Sequence, residues 1–225
     1  MSEAVSQDLW TAVDHYIASH LIPAEPALEA ALRANEAANL PEIDVAPNQG
    51  KLLYLLARMQ SAKRILEIGT LGGYSTIWLA KALLPDGRIV TLEVNPKHAA
   101  VASANLRAAG FGSQTDLRIG PALESLAKLE SEKAEPFDFI FIDADKPNNT
   151  AYLHWALRFS RPGTVIVVDN VVRDGGVIDP RSTEPSVQGS RQLFEALAAE
   201  PRVEATALQT VGQKGYDGFV LARVK

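Results

Sequence analysis

The sequence predicts an α/β fold: seven strands in a mostly parallel sheet, helices on both faces, and an antiparallel hairpin at the end. Three observations lead there. Short apolar runs alternate with stretches of helical periodicity from residue 64 to residue 168. Those runs are apolar at successive positions, as strands buried on both faces are. The last two runs lie too close together for a crossover helix, so they must pair antiparallel. A chain of 225 residues suits one domain, and 47% apolar with 22% charged residues is enough to build its core.

From Asp8 to Asn39 apolar positions recur every three or four residues and break near Pro23, which predicts two helices ahead of the core. After a proline-bounded extended stretch from Glu42 to Pro47, a third helix carries Leu52, Leu53, Leu55 and Leu56. Arg64–Ile68 reads as a buried strand, followed by the turn Gly69-Thr-Leu-Gly-Gly73 and a helix from Tyr74 to about Leu84. A strand, a glycine turn and a helix in that order open a nucleotide-binding unit. The alternation continues with strands at Arg88–Glu93, Thr115–Ile119, Phe137–Ile142 and Thr164–Val168, and helices at Pro96–Ala109, from about Pro121, and near Asn148–Phe159. A helix at Gly189–Ala199 and strands at Val203–Leu208 and Gly218–Val224 complete the pattern.

Composition excludes several classes of function. A net charge of −5 gives no positive field for a polyanion, so nucleic acid is not the expected substrate. With no cysteine there are no disulfides, no thiolate metal ligands and no thiol nucleophile, and any metal must be held by oxygen or nitrogen. The start MSEAVSQDLW lacks the basic and apolar stretches of a signal peptide, and no run reaches the length of a membrane span. A cytoplasmic enzyme with no membrane partner is the resulting expectation.

In an open parallel sheet ligands bind beyond the carboxyl ends of the strands. The first strand ends with Glu67 and the turn Gly69 to Ser75, where glycine allows close backbone approach and the next helix offers free amides. The second ends in Glu93, 24 residues after Gly69, where a carboxylate can accept both hydroxyls of a ribose. An adenosine-bearing ligand is implied, although the spacing G-x-x-G-G departs from the dinucleotide pattern and disfavours a nicotinamide cofactor. Two further apolar strands run into Asp143-Ala-Asp-Lys146 and Asp169-Asn170. Asp143, Asp169 and Asn170 form a set of hard oxygen donors suited to Mg²⁺ or a similar ion. Taken singly, either aspartate is equally explained as a helix cap. Lys146 is placed either to take a proton beside that ion or to pair with Asp143 or Asp145.

These residues form an ordered set that resembles the cation-dependent O-methyltransferases related to catechol and caffeoyl-coenzyme A O-methyltransferases, and is most similar to their small bacterial members. It runs from Val45-Ala-Pro-Asn-Gln-Gly50 through Leu66 to Ser75, Leu92 to Pro96, Gly120 to Leu123, Ile142 to Lys146 and Val168 to Asn170, ending at Gly215-Tyr-Asp-Gly-Phe219. The resemblance implies a Rossmann-like class I methyltransferase fold, S-adenosylmethionine as methyl donor, and a divalent cation, with Mg²⁺ ahead of Mn²⁺ or Ca²⁺. It implies that Glu93 binds the ribose, that Val45, Glu67, Gly69, Thr70 and Ser75 line the methionine side, and that Ala122 meets the adenine through its backbone. Asp143, Asp169 and Asn170 would hold the metal, with Asp143 also touching the donor, and Lys146 would be the base. The expected acceptor is a small vicinal-dihydroxy phenol chelated beside Lys146 and Asn170. Arg173 stands where plant relatives often carry an aromatic residue, and either binds an acidic substrate group or faces solvent. Residues 1–45 are expected to extend the single domain 1–225 and to help build the pocket or a homodimer. Two rivals remain at this stage, a nicotinamide-dependent dehydrogenase and a non-catalytic cofactor-binding scaffold.

Overall fold

The structure, a computed structural model, describes residues 6–225. Its sheet has the order β3-β2-β1-β4-β5-β7-β6. The strands are β1 (Arg64–Ile68), β2 (Arg88–Glu93), β3 (Thr115–Ile119), β4 (Phe139–Ile142), β5 (Val165–Asp169), β6 (Val203–Gly212) and β7 (Gly215–Val224). The first five run parallel, while β7 enters between β5 and β6 antiparallel to both. The expected hairpin of β6 and β7 completes the sheet at one edge, joined to β5 through its second strand.

Among the described residues eight α-helices accompany the strands: α1 (Gln7–Leu21), α2 (Pro26–Ala37), α3 (Pro47–Met59), α4 (Tyr74–Ala82), α5 (Pro96–Ala108), α6 (Ala122–Ser131), α7 (Asn149–Arg158) and α8 (Pro185–Ala199). Their starts have local causes. Proline stands at the start of α2, α3, α5 and α8, where its fixed φ suits the first turn and its missing N–H is no loss. Asn95 caps α5 by accepting from the Lys97 amide at 2.9 Å. Pro185 also explains why α8 begins four residues before the expected Gly189. The hairpin strands likewise run further than their apolar residues predict, because pairing continues from Val203↔Val224 out to Gly212↔Gly215 through polar positions on an open edge.

Strand period two sorts the core onto the two faces. Leu66, Ile68, Leu92, Ile140, Ile142 and Val168 pack with residues of α6, α7 and α8, such as Leu126, Leu153 and Leu193. Ile65, Ile89, Phe139, Phe141 and Val167 pack on the other face with residues of α2, α3, α4 and α5, such as Leu28, Leu53, Ile77 and Leu106. The same alternation puts Glu67, Thr91, Glu93 and Asp169 on this second face at the carboxyl end of the sheet.

Candidate active site

Strand β1 lies between β2 and β4, so the chain direction splits at its carboxyl end and opens a crevice there. The turn leaving β1 is left-handed at Gly69, with φ of 102°. A Cβ at that position would lie 2.0 Å from the carbonyl oxygen of Asp143, so only glycine lets the two strand ends close up. Glu93 braces the turn: one carboxylate oxygen accepts from the amides of Thr70 at 3.3 Å and Leu71 at 2.8 Å. Its other oxygen accepts from the Asn95 amide at 2.8 Å. Ala122 opens α6 immediately after Gly120 and Pro121, and Gly120 donates to the Glu93 carbonyl at 2.9 Å, so the adenine-side candidate lies next to the ribose-side one.

Glu67 is fully buried and accepts hydroxyl hydrogen bonds from Ser75 at 2.7 Å, Thr76 at 2.5 Å and Thr91 at 2.6 Å. Burial pushes its carboxyl up to about 7, against the opposing pull of those three hydroxyls. A carboxylate held this dry, with the charge of Asp143 also near, is favoured by a positive charge placed beside it.

At the next two strand ends, Ile142 stands in register with Val168, and Asp143 and Asp169 follow directly. Asp169 is buried, accepting from Gln49 Nε2 at 2.6 Å and from the Asn170 amide at 2.9 Å. Burial, and next the negative charge of Asp143, raise its carboxyl to about 7. Lys146 is buried too, and donates to Asp143 Oδ1 at 2.8 Å. This is the pairing with Asp143 that the sequence offered as one reading of Lys146.

A cavity of about 500 Å³ opens over these acids. Val45, Asp143, Asp169, Asn170 and Arg173 all line it. Lys146, Glu67, Thr70, Ser75, Glu93 and Ala122 are not part of its wall. The predicted residues therefore fall into two neighbouring groups, bridged by the contact of Gly69 with Asp143. Arg173 reaches the cavity already paired with Asp217 at 3.4 Å. Among the described residues no three histidine or acidic side chains gather as a metal cage; the cavity wall brings together two carboxylates, Asp143 and Asp169, with the amide side chain of Asn170.

Residues 19–225 match the O-methyltransferase family model. This chain is an O-methyltransferase. It is 55% identical over 221 residues to a catechol O-methyltransferase of Niastella koreensis, covering 98% of this chain and all of that one. Identity to a catechol O-methyltransferase of Mycobacterium tuberculosis is 51%, over 95% of each chain. The solved O-methyltransferase of Bacillus cereus in complex with SAH superimposes with a TM-score of 0.97 at 60% identity, over 98% of this chain and 100% of that chain.

Several residues of this O-methyltransferase that meet the site carry no sequence signal of their own. Gln49 sits in the first turn of α3 and reaches Asp169 across 120 positions of chain. Asp14 of α1 accepts from Asn48 at 2.9 Å and from the Gln213 amide at 2.8 Å, joining the helical extension to the hairpin at the cavity wall. Pro47, which opens α3, was the only local hint that Asn48 and Gln49 begin a helix. The acid that anchors Arg173, Asp217, was visible only inside the run Gly215 to Phe219.

Proposed function

We propose that this O-methyltransferase transfers a methyl group from S-adenosylmethionine to one hydroxyl of a small vicinal-dihydroxy aromatic, with a divalent cation held by Asp143, Asp169 and Asn170. The observation that carries the reading is the meeting of two strand-end acids and an amide on one cavity wall, against a glycine turn whose own acids, Glu67 and Glu93, lie one strand away. Asp143, Asp169 and Asn170 would offer such an ion three hard oxygen donors, the kind of ligand that suits Mg²⁺ beside water and acceptor oxygens. When bound, the ion supplies a Lewis acid that favours phenolate over phenol, and S-adenosylmethionine supplies the methyl carbon.

The chain's own residues do the positioning. Glu93 would accept the ribose hydroxyls of a bound donor, and Glu67, held by Ser75 and Thr76, would lie on its methionine side. Val45 closes the apolar side of the cavity, which keeps the reacting oxygen and the methyl group at attack distance. Lys146 keeps Asp143 oriented through their contact at 2.8 Å and is the side chain placed to take the proton of the reacting hydroxyl.

The test is transfer of labelled methyl to catechol. Chelator or Asp169→Ala abolishes transfer while leaving donor affinity within about threefold, and Lys146→Ala lowers turnover more than acceptor affinity. Full activity in excess chelator overturns the cation, and unchanged turnover in Lys146→Ala reduces that residue to the partner of Asp143.

A further inference from the structure

The most strained backbone beside the cavity is the loop that leaves β5. Asn170, Arg173 and Asp174 all adopt left-handed φ, at 54°, 57° and 54°, and Gly175 follows at 80°. Left-handed backbone at side-chain-bearing residues is unfavourable and persists only where neighbours over-determine it. One side chain does so here. Asp217, across from the loop on β7, accepts from the amides of Val172 and Arg173 through a single oxygen, Oδ1, at 2.9 Å each. The same oxygen accepts from the Gly218 amide at 2.9 Å, while Oδ2 faces the Arg173 guanidinium at 3.4 Å.

The rest of the packing points the same way. Val171 donates to the Gly218 carbonyl at 3.0 Å, just before the two amides that Asp217 holds. Gly218 has no space for a side chain: a Cβ there would lie 2.3 Å from the Leu208 carbonyl oxygen and 2.7 Å from Val172 Cγ2. Strand β7 is therefore pressed against the loop, and Asp217 is the group through which it grips the backbone. Arg173 is held from a second side by α8, donating from Nε to Ser186 Oγ at 3.3 Å.

We infer that Asp217 is a positioning residue for the oxygen site: by fixing the backbone at Val172 and Arg173 it sets the amide of Asn170 beside Asp169 and the Arg173 guanidinium on the cavity wall. The inference rests on the proposed reading of Asp143, Asp169 and Asn170 as a cation site. It adds an outer partner to that site, a kind of residue whose loss commonly weakens metal binding by about 10- to 100-fold.

A matched residue makes the test specific. Asp138, at the amino end of β4 and away from the cavity, also accepts two backbone amides, those of Lys63 at 2.8 Å and Arg64 at 3.0 Å, and pairs with Arg161. Mn²⁺ affinity, S-adenosylhomocysteine affinity and amide hydrogen exchange over residues 170–176 are measured for wild type, Asp217→Ala, Asp217→Asn and Asp138→Ala. Asp217→Ala weakens Mn²⁺ binding about 10- to 100-fold and speeds exchange in the loop, with S-adenosylhomocysteine affinity within about twofold of wild type. Asp217→Asn keeps an acceptor oxygen for the amides and loses threefold or less, by roughly the same outer-partner reasoning. Asp138→Ala lowers the thermal midpoint and leaves Mn²⁺ affinity unchanged. Should the alanine variant not fold, Asp217→Ser, whose hydroxyl is too short to reach both amides, takes its place with the same expectation. Wild-type Mn²⁺ affinity or unchanged loop exchange in Asp217→Ala overturns the inference alone. An equal Mn²⁺ loss in Asp138→Ala does the same. A wild-type protein that binds no Mn²⁺ overturns the cation reading and the inference with it.

Discussion

Glu67, which we place on the donor side of the site, shows how a buried carboxyl can oppose stability in the ligand-free protein. Its carboxyl rises from 4.5 to about 7 because the side chain is fully buried. Below pH 4.5 the group is protonated both folded and unfolded, and it costs nothing. Between 4.5 and 7 the unfolded chain gives up its proton first, so stability falls as pH rises, and above 7 the whole penalty is present. The interval corresponds to about 3 kcal/mol. Glu67→Gln keeps the shape without the charge, so it should stabilise the ligand-free protein by up to about 3 kcal/mol at pH 8 and by almost nothing at pH 4.5. Urea unfolding at the two pH values measures this, and an equal effect at both would show that the charge is not what burial opposes. Binding of S-adenosylmethionine should weaken in the same variant, which separates the residue's use from its cost.

At the scale of elements, close approach decides where glycine is needed, and α8 offers a test. Gly189 lies within this helix, where alanine is ordinarily better by about 1 kcal/mol. Here a Cβ would come within 2.1 Å of the Lys146 carbonyl oxygen and 2.6 Å of its carbon, which are backbone atoms that cannot swing aside. Overpacking of that kind costs about 1–3 kcal/mol, so the clash outweighs the propensity. Gly189→Ala should therefore lower the thermal midpoint, and by pushing on the segment that carries Lys146 it should slow transfer as well. A gain in stability would mean that α8 and the Lys146 turn are free to separate. This contact also marks where sequence reading stops. Glu67, Glu93, Asp143 and Asp169 were legible because apolar strands with period two end in them, and a parallel sheet presents all its strand ends on one side. Gln49 and Asp217 were not, since each acts on a group 120 or 45 positions away, and no local pattern records which distant backbone an acid or amide will meet. The strand order was legible only in part: the closeness of the last two strands fixed their antiparallel pairing, but the insertion of β7 beside β5 rests on long-range pairing from Val165↔Arg223 to Asp169↔Phe219 that no local pattern records.

One helix of the molecule leaves an apolar stripe uncovered. Helix α1 buries no residue, and it is held to the rest through polar groups: Gln7 donates to the Gly212 carbonyl at 2.8 Å, and Asp14 binds Asn48 and Gln213. Its apolar residues Leu9, Val13, Tyr16, Ile17 and Leu21 recur at helical spacing and are exposed, Tyr16 and Leu21 by about two thirds. A helix of 15 residues loses much conformational entropy on ordering and regains it mainly by covering an apolar face. A stripe of this kind is the ordinary mark of an interface, and we propose that a second copy of the chain covers it, with each α1 lying against its symmetry mate in a two-fold homodimer. The homodimer should then run at twice the chain mass in light scattering at micromolar concentration, while Val13→Glu with Ile17→Glu should run as a monomer. Because Asp14, on the flank of that stripe, lines the cavity, the monomeric variant should also bind the phenolic acceptor more weakly and keep its affinity for the methyl donor. A wild-type protein that stays monomeric at those concentrations would leave α1 as a helix ordered by Gln7 and Asp14 alone.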